Sequence, residues 1–390
     1  MKKLENNVSF KKQGVFKRKI ILLTTALIFN LLFLSMSSNA QTYEGNIQLK
    51  SQNEIDKALS KGGVLYNITT INGYLYLGDR SNATDITTIA SFSKIKTITE
   101  GLYIYSNLEL KSLTGLESLV YLPTLDISSN ISLENLEGLN NLKKVEGEFR
   151  IAHNTALLSL EGLTNLHTIG TLEVYFNTNL KSCKGLEKLK TLLSYLSFDS
   201  NPNLTSIAAL QLTTIGSSLS IKQNEKLENL KGLEGITTIG KIVVSGNTCL
   251  TSLKGLDNLK LISSGIMIRS NEKLTSLSGL DNVKKIGGYL DVTEHDQLVS
   301  FEGLNKLNEI NGELYIGRNE ALKSLNGLEN LKNVGELKIL SNTGLEDFCA
   351  LKNIFEGVVI EEESKNNFQI KSNGYNPSLP DLKTDNCKKI

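Results

Sequence analysis

Apolar residues follow two interleaved rhythms along most of this chain. Before each of a series of Asn residues the sequence alternates. Leu102 and Ile104, Leu172 and Val174, Ile266 and Ile268, and Leu314 and Ile316 are apolar, and the residues between them are mostly polar or Tyr. Period two over a short run predicts a strand with one buried face. After the Asn the apolar positions recur every three residues, as Leu110, Leu113, Leu116, Leu119 and Leu122 do in the first regular copy. That spacing is too tight for long strands, and Gly interrupts it too often for long helices. Short strands or 3₁₀ turns are expected there.

The anchoring Asn recurs at Asn107, Asn130, Asn154, Asn177, Asn201, Asn224, Asn247, Asn271, Asn319 and Asn342, and His295 fills the slot once. Every spacing is 23 or 24 residues, and in all eleven copies a Leu stands three places after the anchor. The position eight places after it is Gly in nine copies and Ala in two, Ala209 and Ala350. A fixed period of this length marks a solenoid, whose repeats bury their apolar sides only by stacking on one another. One strand per repeat, stacked in register, predicts a parallel sheet along one side with right-handed crossovers. The fold class expected is mainly β, a right-handed single-stranded solenoid of about 11–12 coils.

The Asn has a structural role in this scheme. A chain leaving a strand and turning inward carries backbone groups that need partners. Asn supplies an acceptor and a donor and tolerates turn conformations. Stacked at one level, the Asn side chains would form a ladder. The small residue eight places on is expected where a side chain would meet the next coil or where φ is positive.

The frame Leu-x-Ile-x-x-Asn-x-x-Leu-x-Ser-Leu-x-Gly-Leu, written in full at residues 102–116, resembles the receptor L-domain. This is the leucine-rich-repeat-like β-helix of the insulin and epidermal growth factor receptors. The chain is most similar to secreted bacterial proteins that carry the same repeat, over residues 64–355. The array is longer than one such domain, and the sequence contains neither the cysteine-rich modules nor the kinase of those receptors. The resemblance implies a non-catalytic recognition or adhesion role with a protein or a surface glycan as partner.

Taken in order, residues 1–40 read as a secretory signal. Lys11, Lys12, Lys17, Arg18 and Lys19 precede an apolar run from Ile20 to Met36, and Ser38-Asn39-Ala40 resembles a cleavage site. The alternative is an uncleaved signal anchor, the one membrane contact expected. Residues 41–63 read as an N-terminal cap, with Ser51-Gln52-Asn53-Glu54 as a capping box opening a helix that Gly62-Gly63 stops. Residues 64–345 are the repeat solenoid. Its first coil is irregular, with Arg80 where Asn would stand and an insertion of about three residues near Ser81–Asp85. Residues 346–390 read as a C-terminal cap with a strand-like Gly357–Ile360 and a further strand near Phe368-Gln369-Ile370.

Charge and chemistry narrow the function. The chain has 42 basic and 41 acidic residues, and the leader holds seven and one of these. The mature chain keeps 35 and 40, a net charge of −5, which argues against nucleic acid or an anionic membrane as partner. In an exported chain Cys349 and Cys387 are expected to form a disulfide, closing a loop of about 38 residues and contributing roughly 3–4 kcal/mol. Cys183 takes a Leu position and reads as a buried apolar residue; Cys249 sits in an Asn turn. The three His residues, His153, His167 and His295, lack metal-ligand spacing, and no Gly-rich phosphate loop opens a helix. No cofactor, metal or catalytic residue is expected.

The outward strand face supplies the candidate ligand surface. Tyr74, Tyr76, Tyr103 and Tyr105 fall on it in the first coils, then Arg150, Tyr175, Phe176 and Tyr195, and later Met267, Arg269, Tyr289 and Tyr315. Stacked coils bring such side chains about 4.8 Å apart. Exposed Tyr, Phe and Arg are the residue types of interface hot spots and sugar platforms, although Tyr also favours strands for its own sake. Two other roles compete with recognition: a structural component of the cell envelope, and a β-helical polysaccharide-degrading enzyme.

Overall fold

The computed structural model describes residues 41–355 and 367–389. The leader 1–40 and the strand-like Gly357–Ile360 lie outside the described residues. Between them the chain winds as a β-solenoid of about 12 turns. Its main sheet is parallel throughout, and each strand lies in register on the strand one coil before it. Leu102 pairs with Leu125, Leu125 with Phe149, Phe149 with Leu172 and Leu172 with Leu196. The inward residues at these positions and the three-spaced Leu residues form one continuous buried cluster from Ile47 to Leu382. A coil buries its apolar side only against its neighbours, so core and repeat are one object.

Each coil carries more strand than the alternation alone implies. In five coils a two-residue segment precedes the face strand, as Tyr121–Leu122 precedes Leu125–Ser128. In the coils at Lys144–Ala152, Thr168–Tyr175, Thr238–Ser245, Leu261–Arg269, Glu309–Gly317 and Asn333–Leu340 the two segments run together into one strand. Turns with i→i+3 backbone bonds, such as Leu116 N–H to Leu113 C=O at 3.2 Å, complete the circuit.

The ladder exists and runs one way. Each anchoring Asn except Asn271 donates its backbone N–H to the side-chain oxygen of the Asn one coil later. The distances are 3.0 Å from Asn130 to Asn154, 3.1 Å from Asn154 to Asn177 and 3.1 Å from Asn177 to Asn201. Its Nδ2 donates to a strand carbonyl in the coil before, as Asn154 does to Ile127 at 2.9 Å. These Asn residues are fully buried, and no buried side-chain polar atom among the described residues lacks a partner. A second, exposed column lies eleven places after the anchor: Asn165 and Asn330 donate to the carbonyls of Asn140 and Asn305, both at 2.7 Å.

The ladder ends differently from the expectation. Arg80 does not take the first rung. Thr84 does, donating from its hydroxyl to Asn107 Oδ1 at 2.6 Å, because the insertion pushes the turn four residues along the chain. Asn373 and Asn376 extend the column at the other end, accepting the N–H groups of Asn342 and Asn373, each at 3.0 Å.

His295 performs the Asn role with a ring. Its Nδ1 lies 3.3 Å from the donating N–H of Asn271, and its Nε2 lies 3.1 Å from the carbonyl of Ile268. This requires the neutral tautomer with the proton on Nε2, and burial holds the pKa below the usual imidazole range. A buried His with a lowered pKa favours unfolding as pH falls below about 6.5, where the unfolded chain takes up the proton first. Stability should therefore drop by up to about 1.4 kcal/mol per pH unit over the first step below that point. Urea unfolding midpoints of the wild type and His295→Asn at pH 7.5 and 5.5 check this; equal losses in both proteins would remove His295 from the account.

Both ends are covered. Ile47–Leu49 adds a strand to Tyr74–Gly78, and the helix Gln52–Leu59 lays Ile55 and Ala58 over the first core layer. Ser51 caps it, accepting from the N–H of Glu54 at 3.2 Å, whereas the Glu54 carboxylate reaches back one residue further than a full capping box, to Lys50 N–H at 2.6 Å. At the other end Phe368–Lys371 forms the last strand. The Cys349–Cys387 disulfide, with Cα atoms 4.9 Å apart, ties the tail to the last coil. Cys183 is buried, which pushes its thiol pKa up, and Cys249 is half-buried. No helix among the described residues is long and apolar enough to cross a membrane.

Candidate functional site

Register converts residues 23 or 24 apart into neighbours on the outward face. Its central column runs Tyr76, Tyr103, Asp126, Arg150, Glu173, Ser197. The first coils are aromatic. The rings of Tyr76 and Tyr103 stack at 4.9 Å with 17° between their planes, and Tyr74 and Tyr105 tilt against Tyr103 at 5.7 and 5.6 Å.

Tyr74, Tyr76 and Tyr103 are half-buried and accessible at their edges. Tyr105 is not an exposed contact: it is 7% exposed and its hydroxyl donates to Asp126 Oδ2 at 3.0 Å. Burial, reinforced by the Asp126 charge, raises the Tyr105 phenol pKa far above its ordinary value. Tyr105 is a wall of the site. Phe176 also departs from the expected face position. It stands on the turn just after the strand with φ at 55°, and its ring stacks on His153 at 4.8 Å.

Arg150 sits at the hub of three carboxylates. Its Nη1 is 3.2 Å from Asp126 Oδ2, its Nε is 3.2 Å from Glu173 Oε2, and its Nη2 bonds Glu148 Oε1. The Ser128 hydroxyl donates to the other Asp126 oxygen. Burial, together with the neighbouring Glu173 and Asp126, raises the Glu148 pKa despite Arg150. Arg80, Tyr105, Asp126, Arg150, His153 and Tyr175 are among the residues that line a cavity of about 210 Å³.

Thus Arg150, Tyr105 and Tyr175 share one cavity, while Tyr74, Tyr76 and Tyr103 form the aromatic column beside it. The acids Asp126, Glu148 and Glu173 were missed from the sequence alone. The signal was present in Leu125-Asp126-Ile127-Ser128, which puts an acid on the outward position of a strand.

A related node lies near the other end. Arg269 bonds Asp291 through Nε at 2.9 Å, Thr293 donates to the second Asp291 oxygen at 3.1 Å, and Arg318 pairs with Glu294 at 2.8 Å. Among the described residues no group of three or more His, Cys, Asp and Glu is arranged to hold a metal ion.

Comparison with known proteins agrees with this architecture. No curated protein matches the chain significantly. The Receptor L domain family comprises non-enzymatic ligand-binding domains. Residues 260–359 match the model of that family, so the resemblance in the repeat frame rests on a direct match over the later coils of the array.

Proposed function

We propose that the protein is an exported recognition module that binds a protein partner along the N-terminal part of its outward sheet face, without catalysis. One observation carries this reading: a half-buried Tyr column continues into a polar cavity on a rigid, pre-registered sheet. Such a face loses little conformational freedom on binding. Tyr and Arg are also the side chains that most often dominate binding energy.

The geometry favours a protein over a glycan. Tyr76 and Tyr103 cover each other's inner ring faces, and Tyr74 and Tyr105 lean on the pair. What the column offers is ring edges and hydroxyls, which suit side-chain packing better than the flat stacking a pyranose needs. The receptor-like match over residues 260–359 supports a protein partner in the same general sense. Export rests on the leader 1–40, and the Cys349–Cys387 disulfide suits an oxidising compartment.

The test is the double variant Tyr76→Ala, Tyr103→Ala. Screening of immobilised wild-type chain against surface and secreted proteins should yield a partner. The variant should keep its unfolding transition and bind that partner about thirtyfold more weakly or worse. Unchanged affinity with an intact fold would remove the Tyr column. Capture of glycans alone, or association with the envelope and no partner, would favour the competing roles.

A further inference from the structure

We propose that the cavity at Asp126 and the turn beside it dock a protein segment presenting a basic side chain, Arg or Lys, flanked by apolar residues. This rests on the recognition role above and names the chemistry recognised.

The first argument is an imbalance of charge. Asp126, Glu148 and Glu173 converge on Arg150 alone. At the related node near the C-terminal end each acid has its own cation, Asp291 with Arg269 and Glu294 with Arg318, and only the neighbouring Lys338 is shared, by Glu313 and Glu336. The two nodes share the same strand position and the same Asp–hydroxyl bond, so the fold does not dictate the excess of acid. An incoming cation would complete the first node, and an acidic segment would be repelled.

The cavity already shows how a guanidinium sits there. Exposed Arg80, which lines the cavity, places its guanidinium carbon 6.0 Å from the centre of the Tyr105 ring. It has an aromatic contact and no carboxylate in reach of a salt bridge among those described. A cation entering the cavity would meet the Tyr105 and Tyr175 rings and the Asp126 carboxylate.

The third observation is independent of charge. The residue before each anchor is held at positive φ; it is Ser in five coils and a larger polar residue, His153, Gln223, Glu294 or Arg318, in four others. Phe176 occupies that conformation with a bulky side chain, and its ring remains 48% exposed. The ring stacks on His153 at 4.8 Å and meets Tyr175 edge-on at 5.7 Å, which leaves the rest of its surface to solvent. Phe176 is the one apolar side chain at this position among the described coils, and its exposed surface is what a partner would cover. Leu108 and Ile131, two residues past Ser106 and Ser129 on neighbouring turns, are also exposed, at 37% and 45%. Exposed apolar side chains therefore lie within two residues of the cavity-lining Ser106, Ser129 and Tyr175.

The test uses three acetylated peptide amides as probes: Leu-Arg-Leu, the same peptide with citrulline for Arg, and the same with Glu for Arg. Methyl NMR of the full mature chain would follow Ile127, Ile151 and Val174 beneath the cavity. The Arg peptide should give saturable shifts there, with the citrulline peptide binding at least about fivefold more weakly and the Glu peptide not at all. Phe176→Ser and, separately, Glu148→Gln should each weaken the Arg peptide about threefold or more while leaving unfolding unchanged. Equal binding of the Arg and citrulline peptides, preference for Glu, or no saturable shift at these methyls would overturn the proposal. The broader recognition role would survive such a failure if the partner captured by the wild type still depended on Tyr76 and Tyr103.

Discussion

Asn177→Ala should lower the stability of the array by about 3–5 kcal/mol, the largest effect expected of any single polar truncation here. The Asn177 oxygen accepts from Asn154 N–H at 3.1 Å and from Asn154 Nδ2 at 3.3 Å. Its Nδ2 donates to the carbonyls of Ile151 at 2.9 Å and Tyr175 at 3.1 Å, and to Asn201 Oδ1 at 3.3 Å. Truncation leaves the Asn154 N–H and the Ile151 carbonyl buried with no water to replace the partner. Each such group costs about 1–3 kcal/mol, and the small void adds to it. Asn177→Asp should fare no better, because it buries a charge and removes the donor. His295 marks the limit of tolerance: another side chain serves if it carries an acceptor and a donor at the same reach. Urea unfolding followed by circular dichroism measures the effect. In a solenoid the loss can appear as two separated transitions, as the coils on either side of the gap uncouple. A loss under about 1 kcal/mol in a single transition would mean that water enters the turn and the ladder carries little.

Gly162→Ala should be at least as damaging, removing about 4 kcal/mol or more, or abolishing soluble folded protein. Gly162 has φ at +111°, and an added Cβ would lie 2.0 Å from the Leu136 carbonyl oxygen and 2.2 Å from its carbon. The obstacle is the backbone of the neighbouring coil, which cannot move aside without parting the stack. Gly62→Ala separates the two causes. Its φ is +90° with nothing within 4 Å, so it should show backbone strain alone, about 1–2 kcal/mol. The two coils that carry Ala at the Gly162 position support this reading. Neither Ala209 nor Ala350 is among the residues with positive φ, and Ala350 lies in a 3₁₀ turn, Cys349–Leu351. Equal stability of Gly62→Ala and Gly162→Ala would show that close stacking is not what excludes a side chain.

Much of the fold was legible because its strongest signals repeat. Asn, Leu and Gly at fixed offsets report a backbone that returns to the same place, and buried positions cannot vary freely. Legibility failed where the period was broken. The insertion after Leu77 hid Thr84 behind Arg80, and the interval of 31 residues from Asn342 hid Asn373. The split between short and long strands was invisible, since both carry the same apolar pattern. The site was only half legible. Tyr and Arg stood out as residue types, but the partners of Arg150 come from its own strand and the coils on both sides, and acids scattered along a sequence look solvated until register gathers them. The burial of Tyr105 likewise follows from Asp126 in the next coil, not from anything beside it in the chain.

The in-register stacking has a metric consequence. The Asp126 and Asp291 nodes are seven coils apart, or about 34 Å at the spacing of parallel strands. That separation can change only in whole-coil increments. A spliced-in lap of 23 or 24 residues would carry one node away from the other by about 4.8 Å and leave both closed ends as they are. The molecule is in this sense a ruler with fixed graduations, and a rigid partner touching both nodes would read its length in integers.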